Sequence, residues 1–405
     1  MTSGVNVVIG AGQAGAYAAM AMRDAGFKGR VLLIGDEGHL PYERPPLSKA
    51  LLSAPEPPAL DLFFTADRYS EAGIDLLLGT AVVGLDPKAG CLHLAGGRRE
   101  GFDRLVLATG SRARRLAIPG AEVVRTVRTA EDARRLRQEL YPGARVVCIG
   151  AGVISLEVAS SARSRGCSVV VIELASAVMA RSLSPDMETL VRSLHLNAGV
   201  ELALGTKPES IQDGKVHCSD GRSFPADVVV AGIGIERNST LAIEAGLDVA
   251  DGILTDAAGR TSVPGVYAAG EVAAYHDAQL GIYVRQESWR HAQQHGTIVG
   301  RSAAGVDVTY DDVPWFWSDQ HGTNIQMAGT HAGSTRTVLR RSSGAGSVSA
   351  FYLATDGRVI GVAGLNAGRE VAAGLRLIRM GRAIDPAVLA DTAISAQKLV
   401  AVAST

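Results

Sequence analysis

The sequence predicts an α/β fold with two Rossmann-like dinucleotide-binding domains, followed by an α+β domain at the C-terminus. A strand, a glycine turn, an Ala-rich helix and a second strand succeed one another in VNVVIGAGQAGAYAAMAMRDAGFKGRVLLIGDE. The same order returns from Arg145 in RVVCIGAGVISLEVASSARSRGCSVVVIELA, which is self-similarity at the scale of a domain. After VPWFWSDQHG the pattern changes to strand-like alternation, as in SVSAFYL and GRVIGVAGL, and then to helical signals.

We expect the first of these domains to be discontinuous. Strand-like segments that end in glycine turns reappear after the second unit, in FPADVVVAGIGIERN and TSVPGVYAAGEVAAYHD. An FAD-type domain interrupted by a nicotinamide-type domain has this arrangement, which is glutathione-reductase-like. The predicted boundaries are residues 1–111 with 251–311 for the first domain, 112–250 for the second and 312–405 for the third.

Composition excludes several classes of function. The 405 residues include 40 Lys and Arg against 41 Asp and Glu, without the basic excess of a nucleic-acid-binding protein. Every apolar run is shorter than the roughly 20 residues of a membrane-spanning helix. The N-terminus MTSGVNVVIGAGQAG has no basic region before its apolar run and is interpreted as a first strand. We therefore expect a cytoplasmic protein that binds neither nucleic acid nor membrane.

Cysteine is scarce, and its spacing predicts no metal site. Cys91, Cys148, Cys167 and Cys218 form no C-x-x-C pair and no set with metal-ligand spacing. We expect ordinary thiols in a reducing compartment. No Ser-His-Asp constellation is evident either, and the histidines of WRHAQQHG, His291 and His295 among them, are expected to be structural.

The first glycine turn predicts a dinucleotide site. Gly10, Gly12 and Gly15 satisfy G-x-G-x-x-G directly after a strand and at the start of a helix. Such glycines permit a tight turn, the approach of a pyrophosphate and close packing of helix on strand. Asp36 follows at the distance expected for an acid that binds the ribose.

The second turn departs from the pattern at one position. Gly150 and Gly152 are present, but Ser155 replaces the third glycine. Glu173 ends the next strand, where an acid accepts hydrogen bonds from a ribose 2′-hydroxyl and repels a 2′-phosphate. The sequence therefore favours NADH over NADPH.

Several motifs match a known family, in chain order along nearly the whole sequence. These motifs are GAGQAG, PYERPPLSK, LVLATGSRARRL, RTAEDARRLR, GAGVISLEVA, VPGVYAAGEVA and PWFWSDQ. The chain resembles the FAD-dependent NADH:ferredoxin reductases of Rieske-type dioxygenases and bacterial haem monooxygenases, the putidaredoxin-reductase type. PYERPPLSK and PWFWSDQ are specific to this group, whereas many flavoproteins share the glycine motifs.

The resemblance implies cofactor-binding roles for residues throughout the chain. On the FAD side these are Gly10, Gly12, Ala14 and Gly15 at the pyrophosphate, Asp36 at the ribose, Arg44 and Val82 at the adenosine, Ala108, Thr109 and Gly110 after a strand, Arg128 and Lys49 near the flavin, Glu271 at the ribityl chain, and Trp289 and Trp317 flanking the ring. On the NADH side they are Gly150, Gly152, Ile154, Glu157, Glu173 and Gly234. At Glu271 the family usually has Asp.

Lys49 and Glu157 are the residues to which the resemblance gives a catalytic role. Glu157 would face the nicotinamide, and a glutamate buried in a helix needs a partner. We predict that Lys49 is this partner and that it stabilises the negative charge of reduced flavin. The prolines of PYERPPLSK would hold Arg44 and Lys49 in place at a low entropic cost.

The resemblance implies electron transfer from NADH through FAD to a [2Fe-2S] ferredoxin, of Rieske or adrenodoxin-like type, by a monomer or homodimer. Related disulfide reductases use two cysteines near the FAD, and PLSKALL has none. Electrons would therefore leave the flavin directly for an external acceptor. Candidate contacts for an acidic ferredoxin are Arg112, Arg114, Arg115, Arg340, Arg341, Arg376, Arg379 and Arg382.

Two other functions remain open on the same fold. One is reduction of a small-molecule acceptor such as a quinone or a radical, because fold does not determine the acceptor. The other is a redox-sensing protein similar to apoptosis-inducing factor, in which NADH alters association.

Overall fold

The structure is a computed structural model, and it describes residues 4–277, 281–341 and 346–403. The chain divides into two compact units, which are described separately. The first consists of Met1–Glu43, Leu60–Arg112 and Ile235–Asp312, and the second of Arg44–Ala59, Ala113–Gly234 and Val313–Thr405. The finer division into three domains stays a prediction.

A five-stranded parallel sheet forms the core of the first unit. Its strands, in spatial order, are Val266–Ala268, Arg104–Leu107, Val5–Ile9, Arg30–Ile34 and Ile74–Leu77. The runs VNVVI and RVLLI are apolar at almost every position, because a parallel sheet is covered on both faces. All five strands therefore end at one edge.

Helix Gln13–Asp24 packs closely on helix Trp289–Ala303 in this unit. A Cβ atom at Gly296 would lie 2.4 Å from the Ala14 carbonyl oxygen, and one at Gly300 would lie 2.2 Å from that of Ala18. The small residues of both helices thus permit contact between their backbones. The other elements of the unit are the strands Val82–Asp86, Cys91–Leu94, Arg99–Gly101, Ile235–Arg237, Val249–Ala250, Gly252–Thr255, Ala273–Asp277 and Ile282–Val284, the helices Ala66–Glu71 and Thr240–Glu244, and the 3₁₀ turn Gly270–Val272, with Ser111–Ala113 at the unit's boundary.

The second unit contains a parallel and an antiparallel sheet. The parallel sheet has the order Val200–Leu204, Ser168–Glu173, Arg145–Ile149, Val228–Ala231. The antiparallel sheet has the order Trp315–Gln320, Thr323–Gly329, Val359–Leu365, Val348–Leu353, Arg336–Arg341. Together with the first unit's parallel sheet, these sheets confirm the predicted fold class.

Helices pack on both of these sheets. On the antiparallel sheet, a Cβ at Gly374 of helix Gly368–Met380 would lie 2.4 Å from Val362 Cγ1, so the glycine allows the helix to pack closely. The remaining elements of the unit are the helices Ala50–Ser53, Ala130–Glu139, Val153–Ser164, Pro185–Asn197, Pro386–Ala390 and Ala396–Val402, the 3₁₀ turns Pro45–Ser48 and Ala121–Val123, and the strands Pro208–Gln212, Lys215–Cys218 and Ser223–Pro225.

Two properties concern the described residues as a whole. None of the helices within them combines the length and the apolar character needed to cross a membrane. No group of three or more His, Cys, Asp or Glu side chains within them could hold a metal ion.

Candidate active site

The first glycine turn leaves space in front of a helix. Gly10 has a φ of 108°, and a Cβ atom there would lie 2.1 Å from the Ala108 carbonyl oxygen. A Cβ at Gly15 would lie 1.9 Å from the carbonyl oxygen of Gly10. At Gly12, by contrast, a Cβ would meet no atom of the described residues within 4 Å. Two of the glycines therefore permit packing, and Gly12 keeps an open approach.

The helix behind this turn suits an anionic group. Helix Gln13–Asp24 has no side-chain cap from Gly12 and no acid in its first turn. Gln13 Nε2 is buried and has no hydrogen-bond partner among the described residues. The amides of a helix N-terminus attract phosphate. The residues present thus fit the pyrophosphate of a dinucleotide.

Other predicted residues lie at the same edge of the first unit's sheet. Asp36 follows the strand that neighbours Val5–Ile9 and is exposed. Thr109 follows the neighbour on the other side, where its hydroxyl donates to the Asn238 carbonyl at 2.8 Å. Asn238 Nδ2 in return donates to the Thr109 carbonyl at 2.9 Å. This exchange holds the turn Ala108–Gly110, which sequence reasoning placed at the cofactor.

Glu271 is oriented by a residue that sequence reasoning missed. Ser111 Oγ donates a hydrogen bond to Glu271 Oε1 at 2.8 Å. The preceding Gly270 N–H donates to His295 Nδ1 at 3.1 Å, which fixes the backbone of the turn. A longer acid at this position is thus accommodated within the unit, while its contact with a ribityl chain stays a prediction.

The paired histidines are structural, as expected. His291 and His295 are buried, and their rings stack at 4.8 Å beside Tyr275 and Tyr310. Burial lowers the pKa of His291 to about 4 and that of His295 well below its ordinary value. Both rings are therefore neutral at ordinary pH.

Lys49 and Glu157 form the ion pair that the sequence predicts. In the second unit Lys49 Nζ lies 2.8 Å from Glu157 Oε1, and the glutamate side chain is 1% exposed. Ser48 Oγ donates to Glu157 Oε2, and Ser318 Oγ donates to Oε1 at 2.6 Å. The carboxylate thus has three donors, which offset the cost of its burial. The place of this pair beside a flavin stays a prediction.

The proline-rich loop positions these donors. Its 3₁₀ turn Pro45–Ser48 ends directly before Lys49, and Ser161 Oγ donates to the Ser48 carbonyl at 2.8 Å. Earlier in the loop, Arg44 Nη1 donates to the Arg128 carbonyl at 2.6 Å. The structure therefore brings Arg44 and Arg128 together, as well as Lys49 and Glu157.

The Glu157 site extends through side chains that sequence reasoning missed. Gln320 Nε2 donates to Ser318 Oγ at 2.9 Å, and Gln320 Oε1 lies 2.8 Å from His195 Nε2. His321 Nε2 lies 3.1 Å from His195 Nδ1. Ser318, Gln320 and His195 are fully buried. The only sequence signal for Ser318 and Gln320 was PWFWSDQ, in which positions 318 and 320 share a face of one strand, and no signal indicated His195.

At the second glycine turn, Ser155 replaces glycine without disrupting the packing. Ser155 is fully buried, and its Oγ donates to the Ile149 carbonyl at 3.2 Å. Gly232, directly after the neighbouring strand Val228–Ala231, supplies the space, because a Cβ there would lie 2.3 Å from this hydroxyl oxygen. Gly150 has a φ of 92°, and a Cβ atom there would lie 2.6 Å from the Gly232 carbonyl oxygen, so this position also requires glycine.

Glu173 is held at the end of its strand, beside this turn. Its carboxylate accepts from the Ala151 N–H at 2.6 Å and from the Ala175 N–H at 2.8 Å. Gly152 gives the following helix no side-chain cap, and Ile154 is 40% exposed in its first turn. Gly234, with a φ of 99°, follows the neighbouring strand Val228–Ala231. The turn fits a second nucleotide.

Three aromatic or apolar residues keep their roles only as predictions. Val82 begins the strand Val82–Asp86 and is half-buried. Trp289 is the first residue of its helix. Trp317 stacks on Trp315, with ring centroids 5.4 Å apart.

The cysteines are free thiols and do not form a redox pair. Cys148 and Cys167 are buried, and burial raises the pKa of the Cys148 thiol to about 12. Burial also raises the pKa of Cys167. A thiol rather than a thiolate is a poor nucleophile, so neither residue is suited to disulfide exchange.

One of the arginines predicted to contact a ferredoxin is buried. Arg340 is 3% exposed and donates to the carbonyls of Leu389, Asp391 and Ile394. That prediction was wrong, because the side chain of Arg340 points to the inner face of its sheet. The other candidates are exposed: Arg112, Arg114, Arg115, Arg341, Arg376, Arg379 and Arg382.

Comparison with known proteins identifies the family. The model of pyridine nucleotide-disulphide oxidoreductases matches residues 6–296, and that of the reductase C-terminal domain matches residues 315–400. The chain belongs to the pyridine nucleotide-disulphide oxidoreductase family. This membership confirms the resemblance inferred from the motifs.

Relatives of this oxidoreductase are reductase components of oxygenase systems. The ferredoxin–NAD(+) reductase component of the p-cumate 2,3-dioxygenase system of Pseudomonas putida is 39% identical over 96% of both chains. That of the anthranilate 1,2-dioxygenase system of Burkholderia cepacia is 38% identical over 96% of this chain and 97% of the relative.

Among solved structures, the putidaredoxin reductase–putidaredoxin complex matches with a TM-score of 0.94 and 34% identity over the whole of both chains. The ferredoxin reductase for the CYP199A2 system from Rhodopseudomonas palustris matches with a TM-score of 0.93 and 35% identity, over 98% of this chain and 99% of that one.

Proposed function

We propose that this oxidoreductase passes electrons from NADH through FAD to a small [2Fe-2S] ferredoxin that serves an oxygenase. The main support is similarity over almost the whole chain to reductase components of dioxygenase systems. The Lys49–Glu157 pair, beside a loop that this group shares, supports the same function.

The first unit would hold the FAD. Its open glycine turn and uncapped helix would bind the pyrophosphate through backbone N–H groups. Asp36 would accept from the adenosine ribose, and Glu271, oriented by Ser111, would contact the ribityl chain. When bound, FAD supplies hydride acceptance and release of single electrons. The chain itself supplies binding, orientation and charge.

Lys49 would stabilise the negative charge that hydride transfer brings. Its ammonium group is 20% exposed and paired with Glu157, so it is a fixed charge in a partly desolvated place. Such a preorganised charge needs no proton transfer and little reorganisation. Glu157 would in turn fix the position of Lys49 and contact the nicotinamide.

The second glycine turn would select NADH. Glu173 already accepts two backbone hydrogen bonds, so its carboxylate would be held in place to accept from the ribose hydroxyls of NADH. A 2′-phosphate would approach this charge at a cost. One relative, from a Sphingomonas species, has the name ferredoxin–NAD(P)(+) reductase, so the preference for NADH has to be tested for this chain itself.

Electrons would leave for the ferredoxin without a protein disulfide. An acidic partner would be attracted by exposed arginines, of which Arg341, Arg376 and Arg382 lie near the C-terminus. The proposal includes a cytoplasmic location, where NADH and the oxidised ferredoxin would both be available.

An anaerobic titration tests the proposal. Purified holoprotein is titrated with NADH, and separately with NADPH, while the visible bands of the flavin are followed. We expect bleaching by one equivalent of NADH and little response to NADPH. Protein without bound flavin, or flavin that NADH does not reduce, would exclude the reductase function.

The acceptor is tested next, by mixing the NADH-reduced protein with a [2Fe-2S] ferredoxin or with quinones. Fast reduction of the quinone and not of the ferredoxin would replace the proposed acceptor by a small molecule. An NADH-dependent change in oligomer size with slow turnover would instead indicate a redox sensor.

A further inference from the structure

A continuous series of hydrogen bonds leads from Glu157 to an open depression in the second unit. It runs through Ser318, Gln320 and His195 to His321, with donor–acceptor distances of 2.6, 2.9, 2.8 and 3.1 Å. We call this series of four residues, of which Ser318 alone contacts Glu157, the Ser318–His321 chain. Its inner three members are fully buried, whereas His321 is half-buried and lines the depression, which has a volume of about 530 Å³.

The direction of this chain follows from hydrogen-bond chemistry. An ionised carboxylate only accepts, so the single proton of Ser318 is directed to Glu157. The Ser318 oxygen must then accept from Gln320, which places Nε2 there and turns Oε1 towards His195. His195 therefore donates from Nε2 and accepts at Nδ1 from His321. Every donor points towards Glu157.

This direction requires a neutral His195. Burial lowers the pKa of His195. The pKa of His321 is lowered to about 4, mainly by burial and to a smaller extent by electrostatic interaction with His195 and Arg163. Apart from His195 itself, the titratable or charged groups around His321 that line the depression are Lys49, Arg163 and Asp319. At neutral pH both rings are uncharged, so the series of donors is maintained.

We propose that the Ser318–His321 chain orients the Glu157 carboxylate, and that Gln320 and His195 are positioning residues for hydride transfer from NADH. The proposal rests on the proposed function. The amide of Gln320 donates to Ser318 Oγ in the rotamer in which this oxygen reaches Glu157, and so favours that rotamer over the other staggered ones. Lys49 then meets a carboxylate that is held on both oxygens, by Ser48 and by Ser318.

The backbone supports this arrangement at its outer end. His321 has a φ of 49°, in the left-handed region that a non-glycine residue rarely adopts. Its N–H donates to Ser160 Oγ at 2.7 Å, which ties the hairpin to the helix that contains Glu157. The strained backbone at His321 thus places the His321 side chain where it completes the series of hydrogen bonds.

Two variants separate positioning from stability. His195→Leu keeps the volume of the ring but removes both nitrogen atoms, whereas His195→Gln restores one donor and one acceptor. In stopped-flow reduction of the holoprotein by NADH, we expect His195→Leu to lower the limiting rate constant about tenfold, with a smaller change in the apparent Kd. We expect His195→Gln to recover most of the rate, and His217→Leu, in a distant strand of the same unit, to be neutral.

A further variant, His321→Gly, tests the outer end of the chain, because glycine adopts this φ without strain and keeps the N–H bond to Ser160. We expect the limiting rate constant to fall about threefold, since only the outermost link is removed. If folded His195→Leu or folded His321→Gly reduces flavin at the rate of the wild-type protein, the proposal is wrong. If His195→Leu does not fold, His321→Gly decides alone.

A second measurement does not depend on activity. In protein labelled with ¹⁵N-histidine, the ring nitrogens of His195 should show a neutral ring protonated at Nε2 at pH 7. A ring protonated at Nδ1, or a charged ring, would contradict the direction of the chain. Wild-type flavin that NADH fails to reduce would refute the proposed function instead, while the tautomer of His195 could still be measured.

Discussion

Arg340 and Arg341 are neighbours in one strand, and we predict that they differ in what they do. Arg340 is buried and donates to three carbonyls, two of them at 3.0 and 2.6 Å, whereas Arg341 is exposed. Arg340→Met keeps most of the stem and leaves three carbonyls without this donor. At about 1 kcal/mol net for each lost bond, the folded state should lose about 3 kcal/mol.

Thermal unfolding of the holoprotein measures this loss. At about 2–4 °C for each kcal/mol, Arg340→Met should lower Tm by about 6–12 °C, and Arg341→Met should change it little. Ferredoxin reduction by folded Arg340→Met should keep the wild-type rate and salt dependence. An unchanged Tm would refute the structural role of Arg340, and a reduced salt dependence at unchanged Tm would return it to the docking surface.

Three further predictions concern the nucleotide turns and the buried histidines. Glu173→Ala should lower the preference for NADH over NADPH in kcat/KM at least about tenfold, or about 1.4 kcal/mol, because the repulsion of a 2′-phosphate is removed; an unchanged ratio would assign selectivity elsewhere. Ser155→Gly should leave NADH reduction within about twofold, while Gly232→Ala, whose Cβ would lie 2.3 Å from the serine oxygen, should impair it, and the double variant should recover; impairment that persists in the double variant would contradict the packing argument. Burial lowers the pKa of His291 from 6.5 to about 4, so the unfolded chain binds this proton more readily than the folded one. Its contribution to stability is complete above about pH 6.5 and lost as the pH falls towards 4, and His291→Phe should make stability less dependent on pH in this window.

The parts of the site that depend on local chain geometry could be predicted from sequence. A strand that runs into GAG and then a helix has few conformations, so Gly10 and Gly150 form the tight turns that the motif predicts, each with a positive φ. Local chain geometry was not enough to predict the Lys49–Glu157 contact, because 108 positions separate the two residues. It was predictable only because the family resemblance placed Lys49 near the flavin and Glu157 at the nicotinamide, and because a buried glutamate requires a partner.

The parts that depend on packing between distant segments could not be predicted. His195 meets Gln320 across 125 positions, and no spacing in either segment indicates the other. The same holds for Arg340, since alternation along RTVLRR places Arg340 and Arg341 on opposite faces and does not say which face is covered. Helix Pro386–Ala390 and the turn after it cover the face of the sheet on which Arg340 lies. They accept hydrogen bonds from Arg340 through backbone carbonyls, which any sequence would supply.

The serine at position 155 illustrates why a motif can fail at one residue and still form its site. The third glycine of the motif is needed where the helix meets the strand next to it, so the requirement is for space shared by two residues. Here Gly232, directly after the neighbouring strand, contributes that space, and Ser155 uses it to donate to the Ile149 carbonyl. The side chain therefore fills a gap and also satisfies a strand carbonyl near the turn. The sequence motif describes the common case, in which the helix residue is glycine and has no side chain. It does not describe the equivalent case, in which the helix residue has a side chain and the residue facing it is glycine.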